Sequence, residues 1–253
     1  MKTTEDTEHT EAKRITAEWQ WSDLQFTSLP HSVSSVVQLH NELVYVAPMH
    51  ERAIEHLSRD RVMARLIERV GPCRLRADRQ REPFAALVRS VTFQQLNGTA
   101  AETIFNRFIA LFPNGIFPTP QQILDAPVER MRSAGLSGAK TAAIKDIAAK
   151  AHDGIVPTRT EATRLSDTEL VERLTAIRGV GPWTVEMLLI FTLGRKDVFP
   201  VTDFGVRKGF ALTYGLEEMP HPKALIELGE PWRPFRSIAS WYFWRVADGA
   251  KGA

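Results

Sequence analysis

From about residue 50 onward the apolar residues of this chain recur at helical spacing. Ile54 and Leu57, then Met63, Leu66, Ile67 and Val70, predict helix from His50 until Gly71-Pro72 ends it. Pro83 opens a helix with Phe84, Leu87, Val88 and Val91 on one side, and Asn97-Gly98 interrupts the pattern. A further helix from Thr99 carries Ile104, Phe108 and Leu111 as far as Pro113-Asn114-Gly115.

Thr119-Pro120-Gln121-Gln122 reads as a capped helix start, and two short helices follow, divided by Pro127 and closed by Gly135-Leu136-Ser137-Gly138. Ser137 caps an Ala-rich helix through Lys150 that ends near Gly154, and Ser166 to Glu169 is a capping box for the stripe Leu170, Leu174, Ile177. A helix opened by Pro182 is stopped by Gly194. Val206, Phe210 and Leu212 predict another up to Tyr214-Gly215, and Ala224–Leu228 and Ser237–Val246 supply the last two. That is about ten short helices joined by tight Pro/Gly turns, with no repeat period, and the predicted class is all-α.

Residues 1–49 differ. They are rich in Thr and Glu without a helical period, and read as an extension, partly mobile. Val36, Val37, Leu39 and Leu43 to Val46 are β-branched or apolar, which allows a short β-hairpin turning near Asn41.

Composition narrows the classes. The 253 residues are 43% hydrophobic and 25% charged, as in globular proteins of one or two domains. No apolar run approaches the ~20 residues of a membrane span, and the polar N-terminus is no signal peptide. One cysteine, Cys73, excludes a disulfide framework, a multi-cysteine zinc site and a four-thiolate iron–sulfur cluster. The seven histidines show no ligand spacing, and a reducing cytosol is the expected compartment. A net charge of +2 says little about nucleic acid by itself.

The stretch from Leu174 to Asp203 says more. Leu174 and Ile177, then Arg178-Gly179-Val180-Gly181, then Pro182, Thr184 and Val185 make a helix-hairpin-helix pattern, in which apolar positions lock two helices across a glycine turn. Glycine permits positive φ and lets a phosphate approach the backbone, while the amides of Val180, Gly181 and Trp183 sit at a helix start that favours an anion. The plain alternative is a tight connection between two helices. Beyond Gly194, a short connector delivers one carboxylate, Asp203, beside a hydrophobic helix.

Gly179-Val180-Gly181-Pro182-Trp183-Thr184-Val185, followed by Asp197-Val198-Phe199-Pro200-Val201-Thr202-Asp203, resembles the helix-hairpin-helix, Gly/Pro-rich, aspartate (HhH-GPD) DNA glycosylases, and is most similar to the DNA-3-methyladenine glycosylase II group. Phe84 to Ala101 with Gln94-Gln95-Leu96, Ala134-Gly135-Leu136-Ser137 with Lys140, and Trp232 to Ser237 through Trp244 agree with it, so the likeness covers roughly residues 50 to 250. Thr202 stands where that family usually has an acidic residue.

The resemblance implies two helical subdomains with a cleft between them: a larger one of about 83–195, and 50–82 packed with 196–253. It implies that Asp203 stabilises positive charge on the sugar and orients the attacking water, the plain alternative being a helix N-cap. Trp183 occupies the place where strand-cutting relatives carry a lysine, so base release without lyase chemistry is implied. Trp183 and Trp244 are implied as aromatics of the base pocket, each with core packing as the alternative. Gln95 and Leu96 lie at the wedge that fills the gap left by a flipped nucleotide.

Arg178, Arg207 and Lys208 are candidate phosphate contacts. A structural monovalent cation on the backbone of Ile177 and Val180 is a further implication; no cofactor or catalytic metal is expected. The partner implied is duplex DNA with alkylated bases such as 3-methyladenine and 7-methylguanine, bound by a monomer in the cytoplasm or nucleoid, with no membrane. A non-catalytic helix-hairpin-helix DNA-binding module, or a glycosylase for another damaged base, is the competing expectation.

Overall fold

The computed structural model describes residues 50–96 and 98–249, and every regular element among them is helical. In chain order these are α1 Glu51–Leu57, α2 Arg61–Val70, α3 Pro83–Phe93, α4 Gly98–Ala110, α5 Pro120–Asp125, α6 Val128–Ser133, α7 Gly138–His152, α8 Arg159–Ala162, α9 Asp167–Thr175, α10 Pro182–Leu188, α11 Phe204–Tyr214, α12 Pro222–Leu228 and α13 Arg236–Ala247. Single 3₁₀ turns lie at Pro113–Gly115 and Glu230–Trp232, and α10 runs into one π-helical turn, Leu189–Leu193. The all-α expectation holds. The hairpin expected near Asn41 lies outside the described residues. None of the described helices is long and apolar enough to cross a membrane.

Local chemistry sets the boundaries. The single helix expected from His50 to Val70 is two, because the Asp60 side chain accepts from the amides of Val62 and Met63 and starts α2 afresh. Capping boxes start α5 at Thr119 and α9 at Ser166, as their sequences indicate. A third box, Thr158 with Glu161, starts the one-turn α8, which has no apolar stripe to betray it because only Ala162 is buried. Leu212 is 56% exposed although it was expected in the stripe of Val206 and Phe210. Two residues after Phe210 a helix has turned to its opposite side, so the buried face continues at Ala211 instead.

Two groups of helices carry the core. α3 packs against α4 and α7, and α7 against α5; α2, α11 and α13 pack on one another. Gly209 lets α11 and α13 touch, since a Cβ there would lie 2.0 Å from the Phe243 carbonyl oxygen. α10 contacts α9 and α3. Fully buried Trp244, Tyr242 and Phe243 fill the face of α13, each contributing about 2–3 kcal/mol by removing apolar surface from water.

The connector between the π turn and α11 is fastened to the start of α13. The Ser237 hydroxyl donates to the Arg195 carbonyl at 2.8 Å and accepts from the Val198 amide at 2.9 Å, and the Ser237 amide donates to the Lys196 carbonyl at 2.9 Å. Arg236 bonds both oxygens of Asp197, at 2.7 and 3.1 Å, and Arg233 adds 2.7 Å. Such charge-assisted forks are directional, so the segment that delivers Asp203 is held in place.

Candidate active site

Asp203 is 6% exposed, at the start of α11. Its Oδ1 accepts the Val206 amide at 2.8 Å and the Trp244 indole N–H at 2.9 Å, and its Oδ2 accepts the Trp183 indole N–H at 2.7 Å. The N-cap alternative is therefore true as far as it goes. A cap alone, however, does not need two tryptophans from two other helices. Burial pushes the Asp203 carboxyl up from its ordinary range, and the donors of Trp244, Val206, Trp183 and Gly205 oppose it by favouring the anion. Oδ2 takes the Trp183 indole N–H and, as a carboxylate oxygen, has lone-pair capacity left for water or a reacting sugar.

The two tryptophans differ. Trp183 is half-buried, at the second position of α10. Trp244 is 1% exposed and stacks on Phe191 with ring centroids 5.5 Å apart. The ring of Trp244 is enclosed, as its core-packing alternative expects, and what it offers the site is its N–H.

The hairpin also sorts its residues. Gly179 has φ +76°, and a Cβ there would lie 2.9 Å from the Ala143 Cβ, so glycine is needed for the fold itself. Gly181 has ordinary φ and nothing within 4 Å of an added Cβ, so no contact of the fold requires its glycine. Val180 is 4% exposed and its amide donates to the Ile177 carbonyl at 3.1 Å. The Val180 amide, expected to face an anion, is therefore spent on closing the turn. Arg178 is exposed, and its amide donates to Asp146 at 2.7 Å, anchoring the turn on α7. Carbonyl oxygens suit a hard cation, and Ile177 keeps a second lone pair beyond the Val180 amide.

The turn after α3 reaches the hairpin through Gln94, whose amide donates to the Gly179 carbonyl at 3.0 Å. Lys140 stands behind that turn, donating to the carbonyls of Thr92 at 2.8 Å and Gln94 at 2.6 Å, and burial lowers its pKa to about 8. Gln95 is exposed at φ +58°, whereas Leu96 is half-buried against the core. Arg207 and Lys208 point elsewhere: Arg207 donates to the Pro220 carbonyl at 3.0 Å and Lys208 to the Ala247 carbonyl at 3.1 Å. Thr202 is exposed, so the departure at that position does not enter the buried bonds of Asp203.

Two groups were missed in the sequence. Gln94 has no role distinguishable in the sequence from its neighbours Gln95 and Leu96. Glu186, one turn beyond Trp183, has an enclosed oxygen with no hydrogen-bond partner among the described residues. Its signal was a lone charge in the apolar run from Trp183 to Leu193.

Residues 88–234 match the model of the HhH-GPD superfamily base excision DNA repair proteins. The DNA-3-methyladenine glycosylase 1 of Schizosaccharomyces pombe is 44% identical over 194 residues, 76% of this chain and 85% of its own length. The alkylbase DNA glycosidase-like protein mag2 of the same yeast is 36% identical, over 78% of this chain and 93% of its own. The solved structure of the S. pombe 3-methyladenine DNA glycosylase in complex with abasic DNA superposes with a TM-score of 0.73 at 43% identity, covering 80% of this chain and 99% of that one.

Proposed function

The chain belongs to the HhH-GPD superfamily of base excision DNA repair proteins, and from that premise we propose that it is a DNA glycosylase hydrolysing the N-glycosidic bond of alkylated purines such as 3-methyladenine and 7-methylguanine. The observation that carries the reading is the buried Asp203 carboxylate, oriented by the indole N–H groups of Trp183 and Trp244.

Breaking a glycosidic bond builds positive charge on the sugar, and a fixed, nearly dry carboxylate is worth far more to that charge than one in water. Oδ2 has the lone pair to face the sugar or to take a proton from the attacking water. A cationic alkylated base departs as a neutral molecule, so no strong general acid is required. Trp183 presents no amine at the place where a lysine would form a Schiff base, which supports hydrolysis without strand cleavage.

Duplex DNA is the partner, gripped at the exposed side of the hairpin by Arg178 and at the uncrowded Gly181. Gln95, exposed at the tip of its turn, fills the space of the flipped nucleotide, while Leu96 packs inward. Trp183 is the aromatic placed to meet the extruded base. A monovalent cation on the carbonyls of Ile177 and Val180 would stiffen the hairpin. The division into a subdomain of about 83–195 and another of 50–82 with 196–253 is supported by the separate packing of α3, α4, α5 and α7 and of α2, α11 and α13. One chain carries hairpin and carboxylate, so a monomer suffices.

The test is base release from methylated duplex DNA by the wild type and by Asp203→Asn, which keeps a capping side chain. The expected loss is about two to three orders of magnitude in the single-turnover rate. Equal release by both proteins removes Asp203 from the mechanism, and no release by the wild type leaves a DNA-binding module without chemistry.

A further inference from the structure

Asp203 is not alone. Glu186 lies on α10 three residues after Trp183, hence on the same side of that helix as the residue whose N–H reaches Asp203. The two carboxyls are equipped very differently. Asp203 accepts hydrogen bonds from Val206, Trp183 and Trp244, whereas Glu186 Oε2 is enclosed and has no partner among the described residues.

Among the described residues no cation offsets Glu186. On α3, Arg89 pairs with Glu102 at 2.8 Å and lies over the Phe93 ring. Lys140, beyond the end of α3, is occupied by the carbonyls of Thr92 and Gln94. On α9, Asp167 pairs with Arg195, Glu169 is bonded to Ser166, Glu172 is exposed, and Arg173 is turned to the carbonyls of Gly154 and Ile155. Arg236, on α13, is taken by Asp197, and Arg245 by Asp248. The π turn carries no charge. Asp203 is the charged group that acts on Glu186, and together with burial it pushes the Glu186 carboxyl up to about 8.

Two carboxyls in one poorly solvated place do not both ionise at neutral pH unless something compensates them. The donors decide which one does. The charge resides on Asp203, where the surrounding donors favour the anion, and the proton resides on Glu186. A cation in the space beside Asp203 reverses the balance, because it stabilises a second negative charge.

We propose that Glu186 is the proton-releasing partner of Asp203: it is neutral while the site is empty and gives its proton to solvent when a cationic base or the cationic sugar of the transition state occupies the site. The enzyme then meets a positive charge with two negative ones and presents only one to a neutral nucleotide, which favours cationic lesions. Glu186 is in this sense a positioning residue for charge, acting on the reaction through Asp203. The inference rests on the glycosylase reading of Asp203.

Linkage fixes the sign of the test. If binding a cation expels a proton, affinity for the cation rises with pH, by at most about tenfold per pH unit for one proton, and levels off once Glu186 is ionised in the free enzyme. The probes are two DNA duplexes, one with a pyrrolidine in place of the deoxyribose at the lesion site, cationic throughout, and one with a neutral tetrahydrofuran there. For the wild type, the ratio of the two affinities should rise about three- to tenfold between about pH 6.5 and about pH 8. For Glu186→Gln the ratio should stay flat while still favouring the cation, because Asp203 remains. A Glu186→Gln protein with the same pH dependence as the wild type overturns the proposal and leaves the reading of Asp203 standing. No preference for the cationic duplex at any pH in either protein overturns both. A second measurement needs no variant: calorimetry of the wild type in buffers of different ionisation enthalpy should show about one proton released near pH 7.5 on binding the pyrrolidine duplex and none with the tetrahydrofuran duplex. Equal proton release with both duplexes also overturns it.

Discussion

The indole N–H of Trp244 donates to Oδ1 of Asp203 at 2.9 Å, across 41 residues of sequence and from a side chain that is 1% exposed. α13 therefore reaches the carboxylate from inside the core. Trp244→Phe keeps the apolar ring on Phe191 and deletes the donor. Oδ1 would keep the Val206 amide. The expected result is a base-release rate lower by about tenfold and a stability loss of about 1–2 kcal/mol, with the affinity for abasic DNA nearly unchanged. Weaker DNA binding at an unchanged rate would instead make Trp244 a wall of the base pocket. Single-turnover kinetics and anisotropy titration separate the two.

The two hairpin glycines give a sharper contrast. Gly179→Ala forces a side chain into positive φ and against Ala143, and should cost about 1–3 kcal/mol of stability. Gly181→Ala meets nothing within 4 Å and should melt within a degree or two of the wild type. If Gly181 faces a phosphate, its variant should bind duplex DNA about tenfold more weakly despite its intact fold. Unchanged affinity in Gly181→Ala would return the turn to a plain helix connection.

Much of this was readable from residue types. Pro and Gly punctuate the helices, and the stretch from Leu174 to Asp203 carries the hairpin and the carboxylate in its residue types alone. What escaped has a common cause. A helix of one turn such as α8 has no period to detect, and an apolar letter such as Leu212 can fall on the solvent side of its helix. Trp244 looked like a pocket wall because a side chain's exposure depends on Phe191 and Asp203, 53 and 41 residues away in sequence. Glu186 was a single letter in an apolar run. Its significance lies in the absence of a partner, which only packing reveals.

Ser237 should prove structural in a way that reaches the chemistry. Its hydroxyl is completely buried and serves the Val198 amide and the Arg195 carbonyl, so Ser237→Ala leaves a buried donor without its acceptor. A loss of about 1–3 kcal/mol is expected in denaturant titration. The same change loosens the connector that delivers Asp203, so base release should fall in proportion to how far that carboxylate drifts, by about three- to tenfold. A stability loss with wild-type rates would show that Asp197 with Arg236 holds the connector alone.

Glu186 also makes stability depend on pH in a direction opposite to the usual carboxylate. Its folded pKa, about 8, lies above the ordinary value of 4.5, so the native state holds a proton that the unfolded chain has released. The stability that this proton contributes is full below about pH 4.5 and is lost as pH rises through about 8. Glu186→Gln carries no such proton. It keeps the shape of the neutral acid, so its stability relative to the wild type should be near parity in acid and should rise steadily between pH 5 and 8.5. The gap at the alkaline end should reach about 1–3 kcal/mol, after discounting for the partial exposure of the side chain. Melting curves of both proteins at intervals across that range measure it. A gap that stays constant with pH would mean that Glu186 is ionised in the folded protein throughout, with water or a rearranged side chain supplying the partner that its enclosed oxygen lacks.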